Sequence, residues 1–210
     1  MLDKIYVLIL SASFLASVYN WRHINIAEKV IACLLFFSLA NELLCRYLLY
    51  RNLPLGVAHN VLSVFEILLT TAFFLLVVNY RNVLFKTIGI TIVWLIIIIL
   101  NSIFYNPFNY LNINVLVLES VYFIGLSLYV LYNVLLDDNV EDLFRNSLFS
   151  LVCLQLILWG GSFMFWSLGI YLINNNINAT AVNNYHIILN ILVYFGFFIV
   201  YTLFGKLKLT

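Results

Sequence analysis

Seven long hydrophobic segments, separated by short polar connections, account for most of the chain. They cover residues 4–20, 28–50, 55–80, 83–104, 112–136, 147–172 and 183–204. A helix needs about 20 mostly apolar residues to cross the hydrocarbon core of a bilayer, whereas outer-membrane strands have about 10 residues of alternating polarity. The pattern therefore predicts an all-α integral membrane protein in which residues 1–210 form a single bundle of seven transmembrane helices.

The third segment combines its hydrophobicity with a stripe of polar side chains. His59, Ser63, Glu66 and Thr70 follow one another at spacings of four, three and four residues, so they share one face of a helix. A carboxylate near the centre of a bilayer costs at least ~2.5 kcal/mol, and it therefore normally faces other helices or a water-filled cavity. The stripe predicts that the bundle has a polar interior.

Polar side chains in four other segments are expected at a similar depth. Glu42 and Arg46 are four residues apart, which favours an ion pair on one face of the second helix, and Glu119 lies in the fifth segment. Three glutamates against one arginine leave the charges unbalanced, so we expect a carboxyl group to be protonated, to pair with a histidine or to meet a cation. The predicted polar pocket, open to the outside, consists of Glu42, Arg46, His59, Asn60, Glu66, Glu119, Tyr122, Trp166, His186 and Asn190.

Several of these residues also have a simpler structural interpretation. Asn190 is typical of an interhelical hydrogen bond worth about 0.6 kcal/mol, and His186 could lie at the headgroup level beside Tyr185. Glu66 and Glu119 are the residues that packing explains least well. They are the first candidates for function.

The composition excludes a soluble globular protein. Hydrophobic residues make up 65% of the chain, and charged residues make up 9%, against about 25% in soluble domains. The net charge of +1 offers no basic surface for nucleic acid. The three cysteines lie in hydrophobic segments without metal-ligand spacing, so we predict no disulfide, no metal site and no cofactor.

The distribution of basic residues predicts the orientation. With the N-terminus outside and the C-terminus in the cytoplasm, seven of the ten lysines and arginines lie on the cytoplasmic side, as the positive-inside rule requires. The same rule favours a retained first helix over a cleaved signal peptide. A bias toward Asn, Ile and Tyr is typical of an AT-rich bacterial coding sequence, so we predict a multi-pass protein of the inner cell membrane.

Helix count and predicted orientation resemble those of rhodopsins and seven-helix receptors. The resemblance goes no further, because a retinal protein needs a Schiff-base lysine inside its last helix. Here that helix contains no lysine before Lys206, at its cytoplasmic end, so no retinal is expected. The chain also lacks a nucleophile elbow, an HExxH zinc motif and a GxxxxGK phosphate loop, and the sequence favours a non-enzymatic role.

Three functions are compatible with a polar pocket inside a bundle. The favoured one is a small receptor-like or sensor module that binds a small molecule or lipid and acts through a cytoplasmic or membrane protein partner. The acidic residues 137–145 are typical of a solvated turn, and they could also dock a basic partner. The alternatives are a small-molecule or proton-coupled transporter, and a lipid-modifying enzyme in which Glu66 or Glu119 acts with His59 as acid and base.

Overall fold

Seven α-helices form the part of the chain that the computed structural model describes, residues 2–78, 81–105, 107, 110–136, 146–175 and 180–207. Each helix is long and apolar enough to span a membrane, which confirms the predicted all-α, multi-pass architecture. The acidic residues 137–145 lie outside the described ranges. The helices are α1 (Leu2–Tyr19), α2 (Ile26–Tyr50), α3 (Gly56–Val77), α4 (Val83–Phe104), α5 (Ile113–Leu135), α6 (Ser147–Asn174) and α7 (Thr180–Leu207).

Helix boundaries differ from the predicted ones by a few residues at most ends. The second helix begins at Ile26 because Asn25 and Glu28 form a capping box, in which each side chain bonds the backbone N–H of the other residue. The third helix ends at Val77, before the predicted end at residue 80. The seventh begins at Thr180, three residues before the predicted start at residue 183.

Six of these helices form a closed ring, and the remaining one lies outside it. Around the ring, α1 packs on α2, α2 on α3, α3 on α5, α5 on α6, α6 on α7, and α7 returns to α1. Helix α4 packs on the outside against α3 and α5. It contributes a narrow buried face that includes Trp94, whose ring centroid lies 5.6 Å from that of Tyr122 on α5.

The ring is closed between the first and last helices by hydrogen bonds across α1 and α7. Ser13 on α1 donates to the carbonyl oxygen of Tyr194 at 2.6 Å, and Asn20 donates to that of Tyr201 at 2.9 Å. Both contacts join residues 181 positions apart in sequence. They use buried polar groups, for which water is not an available partner.

Two glycines allow α6 and α7 to approach closely. A Cβ atom on Gly161 would lie 2.1 Å from a methyl carbon of Leu189, and one on Gly196 would lie 2.4 Å from a methyl carbon of Leu154. A Cβ on the neighbouring Gly160 would meet no atom within 4 Å. Of the two roles that the Gly160-Gly161 pair suggests, close packing or a kink, Gly161 provides close packing, and α6 continues through both residues.

A buried polar cluster closes the end of the bundle where α1 ends and α2 begins. The carboxyl group of Glu28, 2% exposed, accepts hydrogen bonds from the backbone of Asn25 and from the hydroxyl of Ser147 on α6. The hydroxyl of Tyr201 on α7 donates to the Glu28 carbonyl oxygen at 2.7 Å. One residue of α2 therefore joins three helices at this end.

Candidate ligand-binding cavity

A cavity of about 380 Å³ lies inside the ring, toward the end that carries the N-terminus. Its volume falls in the range of about 300–1,000 Å³ that is usual for small-molecule sites. Among the described residues, every helix except α4 contributes to the wall, and the exposed Asp3 and Asn183 mark its mouth. Polar and aromatic side chains of the wall include Asp3, Tyr6, Ser38, Asn41, Glu42, His59, Glu66, Trp159, Ser162, Phe165, Trp166, Asn183, His186, Asn190 and Tyr194.

Six of the ten residues predicted for the pocket line this cavity. They come from four helices, because polar side chains on α2, α3 and α7 turn inward, and Trp166 faces the same space from α6. The six are Glu42, His59, Glu66, Trp166, His186 and Asn190.

The charge of the wall is acidic. Asp3, Glu42 and Glu66 line the cavity, and no lysine or arginine is among the lining residues in the described ranges. Arg46 lies at the rim, where its guanidinium is 2.9 Å from a Glu42 carboxylate oxygen and 3.0 Å from the Asp3 carbonyl oxygen. The Arg46 side chain is 40% exposed, so its ion pair with Glu42 contributes at most about 1 kcal/mol to stability. Because Asp3 and Glu42 lie near the rim, Glu66 is the acidic group deep in the cavity.

Arg46 is the first of four predicted residues that do not line the cavity. As predicted, it pairs with Glu42 one turn away on α2. In addition, it bonds the backbone of Asp3 and so connects the start of α1 to α2. Its role in the structure is to position the rim.

Glu119 lies behind the cavity wall, between α3 and α5. It is fully buried, and one of its carboxyl oxygens accepts a hydrogen bond from Ser63 at 2.6 Å. Its other oxygen, Oε1, has no hydrogen-bond partner among the described residues. Glu119 and Glu66 are close enough to interact electrostatically. Glu119 therefore does not line the cavity, although it lies next to Glu66, which does.

Asn60 also faces away from the cavity. It follows His59, so it points about 100° further around α3, and it bonds the connection that precedes α5. Its side-chain amide donates to the carbonyl oxygen of Tyr110 at 2.9 Å, and its oxygen accepts from the backbone N–H of Asn112 at 3.3 Å. Asn60, predicted as a pocket residue, therefore does not line the cavity, because it faces the connection that precedes α5.

Tyr122 is the fourth predicted residue outside the cavity. Its hydroxyl is 3.3 Å from that of Thr71 on α3, and its ring packs against Trp94 on α4. These contacts place it between α3, α4 and α5. Tyr122, predicted as a pocket residue, therefore does not line the cavity, and its contacts lie on the outer side of the ring.

The two histidines of the wall have different surroundings. His186 stacks on Phe165, with ring centroids 4.1 Å apart, and its buried Nδ1 has no hydrogen-bond partner among the described residues. His59 lies with Nε2 3.7 Å from the Cys45 sulfur on α2. The imidazole of His59 thus marks the boundary between α2 and α3, and that of His186 belongs to an aromatic part of the wall.

Some residues of the cavity and of its closed end were not predicted from the sequence. Asp3 and Tyr6 precede or begin a hydrophobic segment, and no stripe of spaced polar residues marks them. Phe165 is indistinguishable from packing in a chain with 18 phenylalanines. Glu28 does carry a signal, since Asn25 three residues before it forms the sequence pattern of a capping box. Its contact with Ser147 on α6 has no counterpart in local sequence.

Metal binding and similarity to other proteins give no further assignment. In the described part of the chain, no group of three or more His, Cys, Asp or Glu side chains is placed to hold a metal ion, and all three cysteines are free. No protein-family model, no curated protein and no solved structure matches the chain. The functional argument therefore depends on the cavity alone.

Proposed function

We propose that this protein is a receptor-like module of the inner cell membrane that binds a small organic cation in its cavity. The proposed orientation places the N-terminus and the cavity mouth outside and the C-terminus in the cytoplasm. The ligand needs no cofactor for its binding, and a shift of the helices around it passes to a cytoplasmic or membrane protein partner.

The proposed ligand class rests on one observation: the cavity wall combines acidic side chains with aromatic rings and, in the described ranges, contains two histidines but no lysine or arginine. Carboxylates attract a cation directly. Aromatic faces add cation–π attraction of about 0.5–2 kcal/mol, more when the cation is desolvated. Tyr6, Trp159 and Trp166 provide such rings in the wall that also carries Glu66. This combination is the chemistry that recognises amines and quaternary ammonium ions.

Binding is favoured over transport by the closed opposite end. The cluster around Glu28 joins α2, α6 and α7 there, and Tyr201 and Asn20 add bonds between α7 and its neighbours. A ligand that enters at Asp3 meets this packed end, so the cavity holds a ligand in the conformation described.

The proposal is tested with butylammonium and its anionic counterpart butyrate. In saturation-transfer NMR on the detergent-solubilised protein, we expect transfer to butylammonium and none to butyrate. Glu66→Gln removes the deep carboxyl group at nearly constant volume and should weaken butylammonium binding at least tenfold, a loss of ~1.4 kcal/mol. The matched control, Glu28→Gln, makes the same change at the closed end and should leave butylammonium affinity unchanged.

Each contrary outcome has a defined meaning. Equal binding of butyrate, or unchanged affinity in Glu66→Gln, would refute the cation site. Glu66-dependent uptake of butylammonium into proteoliposomes would favour the transporter instead. Turnover of bilayer lipids that is lost in His59→Ala would favour the intramembrane enzyme.

A further inference from the structure

A second, apolar depression lies on the opposite side of the wall formed by α2 and α3. It is a groove of about 520 Å³, lined along both helices by residues such as Leu44, Leu48, Val57 and Val61. Leu44 and Val61 are 46% and 44% exposed, so this face is directed to the surrounding lipid. Asn41 is the single polar residue among those that line the groove in the described part of the chain.

The contact between α2 and α3 has three levels along the helix axes. Near the cavity mouth, Cys45 meets His59 at 3.7 Å. Deeper in the membrane, Phe37 stacks on Phe65 with ring centroids 4.2 Å apart and nearly parallel planes.

The middle level lies between these two contacts. Because α2 and α3 run in opposite directions, the middle level falls at Asn41 and Leu62, about one helical turn from each of the two contacts. Asn41 and Leu62 line both the apolar groove and the acidic cavity. The two spaces therefore share one stretch of wall, made of two side chains that are neither fully buried nor fully exposed.

We propose that this middle level is a lateral opening, and that the ligand is a single-chain amphiphile with a protonatable amine head. The head lies in the cavity near Glu66, and the hydrocarbon chain passes between Asn41 and Leu62 and lies in the groove. This inference rests on the proposed cation site and specifies the class of molecule that it accepts.

The size and chemistry of the groove match one hydrocarbon chain. At ~30 Å³ per methylene, about the volume of a water molecule in the liquid, the groove has room for one chain of roughly 17 carbon atoms. The hydrocarbon chain of the ligand leaves lipid for an equally apolar protein surface, so its transfer gains little hydrophobic free energy. Affinity therefore comes from the head in the cavity, and the groove determines which molecules can place their head there from the bilayer.

The test uses a tetradecylamine that carries a photoactivatable diazirine in mid-chain, in phosphatidylcholine proteoliposomes. After irradiation, peptide mass spectrometry locates the adducts. We expect them on the groove residues of α2 and α3, with at least a tenfold decrease when excess butylammonium occupies the cavity. Val61→Trp fills the groove from an exposed position and should decrease the same adducts at least tenfold. The matched control, Val93→Trp on the lipid-facing side of α4, should not.

Three results would overturn the inference. Adducts spread equally over the lipid-facing surface, adducts unchanged by Val61→Trp, or equal labelling by the same chain with a carboxylate head would each show that the groove holds ordinary lipid chains. Butylammonium binding that depends on Glu66, found together with any of these, would leave the proposed cation site standing. If the unaltered protein did not bind butylammonium, the proposed cation site itself would be refuted, whatever the labelling by the long-chain amine shows.

Discussion

Replacing Gly161 by alanine tests whether the close contact of α6 with α7 shapes the cavity. The added Cβ would lie 2.1 and 2.9 Å from the two methyl carbons of Leu189, whereas carbon atoms pack best at about 3.5–4.0 Å. Leu189 must therefore turn or move by roughly 1.5 Å to restore that spacing. It is 9% exposed and has little free space around it. Overpacking of this kind typically costs ~1–3 kcal/mol of unfolding free energy.

Gly160→Ala is the matched control, because it makes the same chemical change one residue earlier where no atom lies within 4 Å. There the alanine should be neutral or should stabilise the helix by up to ~1 kcal/mol. The two variants should therefore differ in unfolding free energy by ~1–4 kcal/mol. Reversible unfolding by sodium dodecyl sulfate in mixed micelles, followed by circular dichroism, measures this difference.

Gly161→Ala should also change the shape of the cavity. His186 and Asn190 lie on the part of α7 that carries Leu189, so displacement of that part moves two lining side chains. We expect Gly161→Ala to weaken butylammonium binding, and the added change Leu189→Ala to restore both stability and binding in part. Equal effects of alanine at Gly160 and Gly161, or no recovery in the double variant, would refute the close-contact explanation.

Two further predictions concern buried hydrogen bonds. Ser63→Ala removes the hydroxyl that donates to Glu119 and should lower the unfolding free energy by ~1–3 kcal/mol. Most of this loss should disappear when Glu119→Leu is added. An unchanged loss in the double variant would contradict the pairing of Ser63 with Glu119. Tyr201→Phe removes the bond to the Glu28 carbonyl and should cost ~0.6–1.7 kcal/mol, whereas Tyr129→Phe, at an exposed position, should cost nothing in the same unfolding assay.

The hydrophobic pattern predicted the helices well because length and polarity are local properties of the chain. The stripe on α3 is an example: its spacing placed His59 and Glu66 on one face, and both line the cavity. The pattern could not assign Asn60 or Glu119, because their placement depends on how far each helix is rotated against its neighbours.

That rotation is determined by contacts between helices distant in sequence. Glu119 meets Ser63 across 56 positions, and Glu28 meets Ser147 across 119. A capping pattern marks where α2 begins, but it contains no information about α6. Sequence alone could therefore predict that a polar interior exists and which helix stripes face it, while the boundary between the cavity and its second layer of polar residues required the packed structure.

The bonds between α1 and α7 mean that the cavity cannot close before α7 has been synthesised. The membrane insertion machinery receives α1 first and α7 last, and Ser13 and Asn20 find their partners only when Tyr194 and Tyr201 arrive. Until then one side of the ring is open, and Glu66 faces lipid or the translocation channel. A chain whose synthesis stops after α6 therefore lacks the α7 wall of the cavity, and quality control has a polar group to recognise in it.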